Sequence, residues 1–128
     1  MSRDIRDYSG LNLAYIGDAV YELMVRTYLA ESENAQVNRM THEASQLVNA
    51  GTQARLIEAV QDLLIEEEAA VCRRGRNSNI ISKAKHATAA DYRKATGCEA
   101  LIGYLYLTGN TERAAYILSE GFRRLGLL

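Results

Sequence analysis

Apolar residues recur at helical spacing along most of the chain, and no stretch alternates apolar and polar residues as a strand does. The clearest case is the segment 11–30, where one apolar stripe is widened on both sides by further apolar residues. Ser9 precedes this segment and is a suitable N-cap, because its hydroxyl can accept a hydrogen bond from the first helical turn. The pattern predicts a long central helix that is buried over most of its circumference. Its stripe consists of Leu13, Ile16, Val20, Leu23 and Thr27.

The rest of the chain predicts further amphipathic helices, and no proline interrupts any of them. We expect Gly51 to end one helix, and Thr52, Thr88 and Thr111 to cap the N-termini of three others. The segment 75–88 has the weakest pattern and is expected to contain an exposed loop. The sequence therefore predicts an all-α fold, a single-domain helical bundle of six to seven helices over residues 1–128. The predicted helices are 34–50, 52–60, 63–74, 88–107 and a last helix from 111 onward.

The composition is that of an ordinary globular chain. The N-terminus has no apolar signal core, and no stretch approaches 18 consecutive apolar residues. Cys72 and Cys98 have no CxxC partner and no histidine at zinc spacing, which weakly favours a reducing compartment. We therefore expect a cytoplasmic protein with no membrane segment.

The net charge of −1 conceals a strong asymmetry along the chain. Residues 1–68 carry five basic and twelve acidic side chains, whereas residues 69–94 carry seven basic and one acidic. The basic segment is also rich in glycine, asparagine and serine, which allows it to follow a phosphate backbone. A solvated charged face with no ligand is the alternative interpretation.

Three acids lie within the apolar stretches 11–25 and 97–107 of two predicted helices. Asp18 and Glu22 are the only charged residues between positions 11 and 25, and Glu99 is the only one between 97 and 107. An unpaired buried carboxylate costs several kcal/mol, roughly, so each acid needs a partner. Arg26 lies four residues after Glu22 and can pair with it. For Asp18 and Glu99 two possibilities remain open: pairing with basic side chains or solvent, or shared binding of a hard cation such as Mg²⁺.

Three sequence blocks, in this order, resemble the ribonuclease III catalytic domain. The first is LAYIGDAVYE at 13–22, which resembles the signature helix of that family. The second is RRGRN at 73–77, and the third is CEALIGYLYL at 98–107, which resembles the second acidic helix. The resemblance covers nearly the whole chain and is strongest to the mini-ribonuclease III branch, which has no double-stranded-RNA-binding domain.

The resemblance implies a fold of the ribonuclease III endonuclease-domain type, a homodimer, and Mg²⁺ as the cofactor, with Mn²⁺ as a substitute. It also implies cleavage of double-stranded RNA to 5′-phosphate and 3′-hydroxyl ends, in maturation of the large-subunit (23S) ribosomal RNA precursor. Asp18 and Glu99 correspond to the catalytic, metal-binding acids. Three other acids of the larger enzymes are replaced here by Leu11, Ala14 and Thr96, a thinning that the mini branch shares.

Around this pair we expect two supporting residues and a set of RNA-binding residues. Glu22 and Thr96 lie one helical turn from Asp18 and Glu99, respectively, and are the candidates for support. Double-stranded RNA is bound mainly through phosphate and 2′-hydroxyl contacts, which suit basic and amide side chains. The RNA-binding candidates are Arg73, Arg74, Arg76, Asn77, Lys83, Lys85 and Arg93.

Two other functions compete with the endoribonuclease. The first is a non-catalytic double-stranded-RNA-binding module on the same fold, but such a module has no reason to keep both Asp18 and Glu99. The second is a helical metallohydrolase that acts on small phosphorylated molecules. The basic segment and the absence of a His-Asp ligand pattern argue against it.

Overall fold

The computed structural model describes residues 3–31, 36–78 and 88–127, and this part of the chain contains six α-helices and no strand. Two single-turn 3₁₀ helices, Ile5–Asp7 and Gln61–Leu63, precede the first and the fourth α-helix. The predicted all-α fold of six to seven helices is confirmed. The helices are α1 Gly10–Ala30, α2 Val37–Leu47, α3 Ala50–Ala59, α4 Glu66–Ser78, α5 Ala89–Leu107 and α6 Thr111–Arg124. None of the helices described is both long and apolar enough to cross a membrane.

Helix α5 lies at the centre of the bundle and packs against α1, α3, α4 and α6. Tyr21 of α1 is fully buried in this core, where its ring meets that of Phe122 edge to face at 6.2 Å. Its hydroxyl donates a hydrogen bond of 2.6 Å to the carbonyl of Leu47 and thereby ties α1 to the end of α2. The other large side chains that are fully buried include Leu13, Val25, Leu56, Leu101, Ile102 and Ile117.

Helices α1 and α5 touch through their backbones at two glycines. A Cβ placed on Gly17 would lie 1.6 Å from the carbonyl oxygen of Glu99, and one on Gly103 would lie 2.0 Å from that of Leu13. No side chain fits at either position, because real Cβ atoms do not approach other heavy atoms so closely. The crossing therefore depends on glycine in both helices, and it places Asp18 beside the backbone of Glu99.

The predicted caps of the two long helices are confirmed, whereas the predicted boundary at Gly51 is wrong. The Ser9 hydroxyl accepts from the backbone N–H of Asn12 at 3.0 Å, and the Thr88 hydroxyl accepts from that of Asp91 at 3.1 Å. Gly51 lies inside α3, which begins one residue earlier. The N-cap of α3 is Asn49 rather than Thr52, since the Asn49 side chain accepts from the Thr52 N–H at 2.9 Å.

Helix α4 continues into the segment for which we expected a loop. It runs through Ser78 rather than ending near residue 74, so the predicted end is wrong, and residues 79–87, the rest of the segment expected to contain the loop, lie outside the described part of the chain. The physical reason is packing. Gly75 is buried against α5, where a Cβ would lie 2.6 Å from that of Ala100 and 3.0 Å from the Cα of Gly97. The close contact that glycine allows outweighs its poor helix propensity.

Helix α1 is less buried than its sequence predicts. Tyr15 is 80% exposed and Leu23 is 64% exposed, although both are apolar positions of the predicted central helix. Together with Leu11 and Ala19, at the same four-residue spacing, they form an apolar strip along the solvent side of α1. We call these four residues the α1 outer strip. The prediction of burial over most of the circumference is therefore wrong.

The glycine crossing yields a stability prediction. Gly17→Ala should lower the free energy of unfolding by about 3 kcal/mol or more, because the new methyl group collides with backbone rather than with a movable side chain. Urea unfolding followed by circular dichroism measures the change. Gly51→Ala is the matched control, since its Cβ has only an ordinary contact at 3.4 Å and alanine favours the helix. Equal unfolding midpoints for Gly17→Ala and wild type would contradict this account of the crossing.

Candidate active site

Asp18 and Glu99 come together at the crossing of α1 and α5. They lie 81 positions apart in the sequence, yet their carboxyl groups are close enough to share a hydrogen bond. Asp18 is exposed, whereas Glu99 is partly buried. The pair therefore lies at the edge of the core, with one carboxyl open to solvent and the other set behind it.

The surroundings of Glu99 make its ionised form unfavourable. The pKa of Glu99 is raised to about 8, mainly by burial and further by the hydrogen bond with Asp18 and the negative charge of Asp18. The side-chain amide of Gln53 acts in the opposite direction, because its Nε2 donates a hydrogen bond of 3.4 Å to Oε2 of Glu99. Two acids held in contact in this way are a common feature of functional sites.

No lysine or arginine within the described ranges forms an ion pair with Asp18 or Glu99. Glu68, by contrast, is a buried acid that does pair with a basic side chain. The guanidinium of Arg113 binds both oxygens of Glu68 at 2.9 Å, and this arginine holds the pKa of Glu68 below its ordinary value. Glu68 has the environment of a structural ion pair. The Asp18–Glu99 pair instead presents two oxygen donor groups without a cationic side chain.

The two residues expected to support the pair have other contacts. Glu22 forms an ion pair of 3.1 Å with Arg26, as its spacing in the sequence suggests. Thr96 is buried, and its hydroxyl donates to the carbonyl of Tyr92 in its own helix at 2.9 Å. Both contacts are local to one helix.

The predicted RNA-binding residues that the structure describes lie at the C-terminal end of α4 and the N-terminal end of α5. Arg73, Arg76, Asn77 and Arg93 are exposed. Arg74 is exposed too, but its guanidinium donates a hydrogen bond to the carbonyl of Tyr8. Lys83 and Lys85 lie outside the described residues.

These two helix ends lie side by side. A Cβ built on Gly97 would lie 3.6 Å from that of Arg76, which brings this arginine against α5 two residues before Glu99. Lys94, which the sequence also includes in the basic segment, forms an ion pair of 2.5 Å with Glu58 of α3. Arg76 and Lys94 line the same open cleft, of about 340 Å³, between α3, α4 and α5.

Gln53 is the residue of this site that the sequence analysis missed. It is 3% exposed, on a helix whose buried side chains include Leu56 and Ile57 and whose C-cap, Val60, is buried too. A signal was present in the sequence, since Gln53 precedes these residues by three, four and seven positions and so falls on the same stripe. A polar residue on an apolar stripe needs a buried partner, and that partner is Glu99.

Comparisons with known proteins find relatives that match most of this chain. The Ribonuclease III domain family matches residues 11–110. Mini-ribonuclease 3 of Clostridium tetani is 44% identical over 91% of this chain and 78% of its own length. Mini-ribonuclease 3 of Enterococcus faecalis is 39% identical over 97% of this chain and 96% of its own. A crystal structure of a Fusobacterium nucleatum protein superposes with a TM-score of 0.84 at 33% identity, covering 95% of this chain and 98% of that one.

The raised pKa of Glu99 yields a prediction for stability against pH. Without a bound cation Glu99 keeps its proton up to about pH 8 in the folded state, but ionises near its ordinary value of 4.5 when unfolded. Its contribution to stability is therefore complete below pH 4.5 and is lost as the pH rises towards 8. Glu99→Gln should remove this loss. Relative to wild type, we expect the variant to gain on the order of 1–2 kcal/mol between pH 5 and pH 8.5, after discounting for partial solvent exposure.

Urea unfolding in EDTA at the two pH values measures this effect. Asp18→Asn is the companion variant, because it removes the neighbouring charge while leaving Glu99 in place, and it should weaken the pH dependence only in part. A parallel loss of stability in wild type and Glu99→Gln would contradict the assignment.

Proposed function

This chain belongs to the ribonuclease III domain family, and on that basis we propose that it is an endoribonuclease that cleaves double-stranded RNA with Mg²⁺ held by Asp18 and Glu99. The products are expected to carry 5′-phosphate and 3′-hydroxyl ends. The observation that carries the proposal is the contact between these two carboxyl groups at a solvent-accessible edge, without a cationic side chain of the described residues between them.

The two carboxyl groups suit Mg²⁺ by their chemistry. This ion prefers oxygen ligands, and in proteins it commonly binds one or two carboxylates while keeping several waters and substrate phosphate oxygens. No cluster of three or more His, Cys, Asp or Glu side chains occurs in the part of the chain that the structure describes, so a site with few protein ligands fits best. Mn²⁺ has the same preference for oxygen and should substitute.

The bound cation would supply an activated water and stabilise the charge that develops on the phosphate. Asp18 offers its carboxylate from the solvent side, where an RNA backbone has access. Glu99 offers its carboxylate from the protein side, after its carboxyl group has released its proton. Because burial and Asp18 raise the pKa of Glu99 to about 8, this release should make the site more effective as the pH rises from 6 to 8.

The exposed cations beside the site are the proposed contacts to RNA. Arg73, Arg76 and Arg93 have guanidinium groups open to solvent, and Asn77 adds an amide that can bind phosphate or 2′-hydroxyl oxygens. Arg74 is held at Tyr8 and has further N–H donors for the same purpose. Lys83 and Lys85 belong to the proposal by their place in the sequence, between the two helix ends that carry the other cations.

We also propose that the protein acts as a homodimer. Cutting both strands of a duplex requires two sites related by a two-fold axis, and each chain supplies one Asp18–Glu99 pair. The α1 outer strip offers exposed apolar side chains on the helix that carries Asp18, and tyrosine is one of the residues enriched in interfaces. The proposed natural substrate is a double-stranded segment of the 23S ribosomal RNA precursor in the cytoplasm, as the mini-ribonuclease III resemblance implies.

The proposal predicts loss of cleavage without loss of binding when either acid is neutralised. Asp18→Asn and Glu99→Gln should each reduce the rate of cleavage of a long RNA duplex in Mg²⁺ by at least about 10³-fold, since removal of a charged metal ligand abolishes the activation of water. Gel analysis of cleavage and mobility shifts in Ca²⁺ measure the two properties separately. End labelling tests the expected 5′-phosphate and 3′-hydroxyl termini.

The control is Glu112→Gln, which neutralises an exposed acid on α6 and should leave cleavage unchanged. Binding of the duplex by wild type without cleavage would instead support the non-catalytic RNA-binding module. If the protein neither binds nor cleaves the duplex but hydrolyses a small phosphorylated compound, the result would support the metallohydrolase.

The basic residues yield a separate prediction about salt. If Arg73 and Arg76 contact phosphates, the affinity of wild type for duplex RNA should fall steeply with salt, and the double Ala variant should lower the slope of log K against log salt by about 1.4 to 1.8. Fluorescence anisotropy at 50 to 200 mM KCl measures the slope. Arg123→Ala is the matched control, because this exposed arginine lies on α6 and pairs with Glu120. If the double variant has the same salt slope as wild type, Arg73 and Arg76 do not contact the RNA phosphates.

A further inference from the structure

Gln53 is a buried polar side chain directed at the Glu99 carboxyl. It is 3% exposed and lies in the first turns of α3, and its Nε2 donates to Oε2 of Glu99 over 3.4 Å. In the described part of the chain, the polar side chains that contact the Glu99 carboxyl are those of Asp18 and Gln53. Asp18 repels the ionised form of Glu99, so Gln53 is the side chain here that favours it.

A network of hydrogen bonds at the corner between α2 and α3 fixes the position of Gln53. The Asn49 amide donates to the carbonyl of Gln46 at 2.9 Å, while its oxygen caps Thr52 at 2.9 Å. The buried Thr52 hydroxyl donates to the same Gln46 carbonyl at 2.8 Å. Because Gln53 follows Thr52 directly, the backbone from which its side chain reaches Glu99 is held from both sides of the corner.

An uncharged donor is the chemistry that a cation site requires at this position. A lysine or arginine here would neutralise the acids and compete with a metal ion for them. A third carboxylate would add repulsion to a pair whose members already touch. An amide N–H satisfies one lone pair of Oε2 without charge and leaves the other lone pairs of the carboxylate available.

We propose that Gln53 is a positioning residue for RNA cleavage, which holds the Glu99 carboxylate in the orientation that faces Asp18 and the cation. The proposal rests on the proposed function, because it concerns the same pair of acids. The outcome for Gln53 can still be read separately, since binding of Mn²⁺ to the protein alone requires neither RNA nor turnover. Positioning groups around metal ligands commonly change metal affinity or activity by about 10- to 100-fold when removed.

The first experiment compares Gln53→Met with wild type in Mn²⁺ binding, measured from the electron paramagnetic resonance signal of free Mn²⁺ in the absence of RNA. Methionine keeps the length of the side chain and removes the amide. The dissociation constant should rise by about 10- to 100-fold. Gln61→Met is the matched control, because Gln61 is exposed and its amide donates to the carbonyl of Ile57 instead. Equal Mn²⁺ affinity in wild type and Gln53→Met would overturn the proposal.

Kinetics on an RNA duplex distinguish positioning from general damage. Gln53→Met should lower kcat at a fixed, subsaturating Mg²⁺ concentration and leave KM for the duplex unchanged, since the exposed arginines that bind RNA are untouched. Raising Mg²⁺ should restore much of the lost kcat. A rise in KM with unchanged kcat would overturn the positioning role.

A measurement on wild type avoids any dependence on how the variant folds. In ¹⁵N-labelled protein, Mg²⁺ should shift the side-chain amide resonances of Gln53 and leave those of Gln61 in place. Absence of a shift at Gln53, with Mg²⁺ bound, would overturn the proposal. If wild type fails to cleave RNA while Gln53→Met still loses Mn²⁺ affinity, the proposed function fails and the role of Gln53 at the cation site stands.

Discussion

The backbone contact between α1 and α5 is the constraint on which the rest of the structure depends. At Gly17 the two helices approach so closely that the carbonyl of Glu99 lies where a side chain would begin. Asp18 is the next residue on one helix, and Glu99 is the contact residue of the other. The interaction that closes the core therefore also holds the two acids close together. Their backbones cannot separate unless the bundle opens. Rigid elements of this kind hold functional groups more precisely than loops do.

This arrangement lowers stability, and the remainder of the fold compensates for it. Two touching carboxyl groups, one of them partly buried, favour the protonated form of Glu99 and work against folding as the pH rises. Elsewhere in the same protein the buried acid Glu68 is neutralised by Arg113, which binds both of its oxygens. A repulsive pair that is kept while another buried acid is paired is expected at a functional or strained site.

The sequence predicted the helices well where local chemistry decides, and less well where packing decides. Ser9 and Thr88 are recognisable as N-caps because a hydroxyl residue directly before an apolar helical pattern is strongly favoured at that position. The continuation of α4 through Gly75 was not predictable from local preference, since the contact with α5 that stabilises it is formed by residues far along the chain. Asp18 and Glu99 stand out because charge is rare in the apolar stretches 11–25 and 97–107. Gln53 is an uncharged residue whose place on an apolar stripe indicates a buried partner, but the identity of that partner, Glu99, becomes visible only once α3 lies against α5.

Helix α1 combines two roles that a duplex-cleaving enzyme needs at fixed distance from each other. Its core side carries the glycine that meets α5, and Asp18 lies next to it, while the α1 outer strip faces solvent. In the proposed homodimer the strip would bring together two copies of the helix that holds each Asp18. The separation of the two sites would then be set by helix geometry rather than by a flexible connection. A constant stagger between cuts on opposite strands demands such a fixed separation. The exposure of Tyr15 and Leu23 would serve this purpose, because it leaves the proposed dimer surface open on each chain.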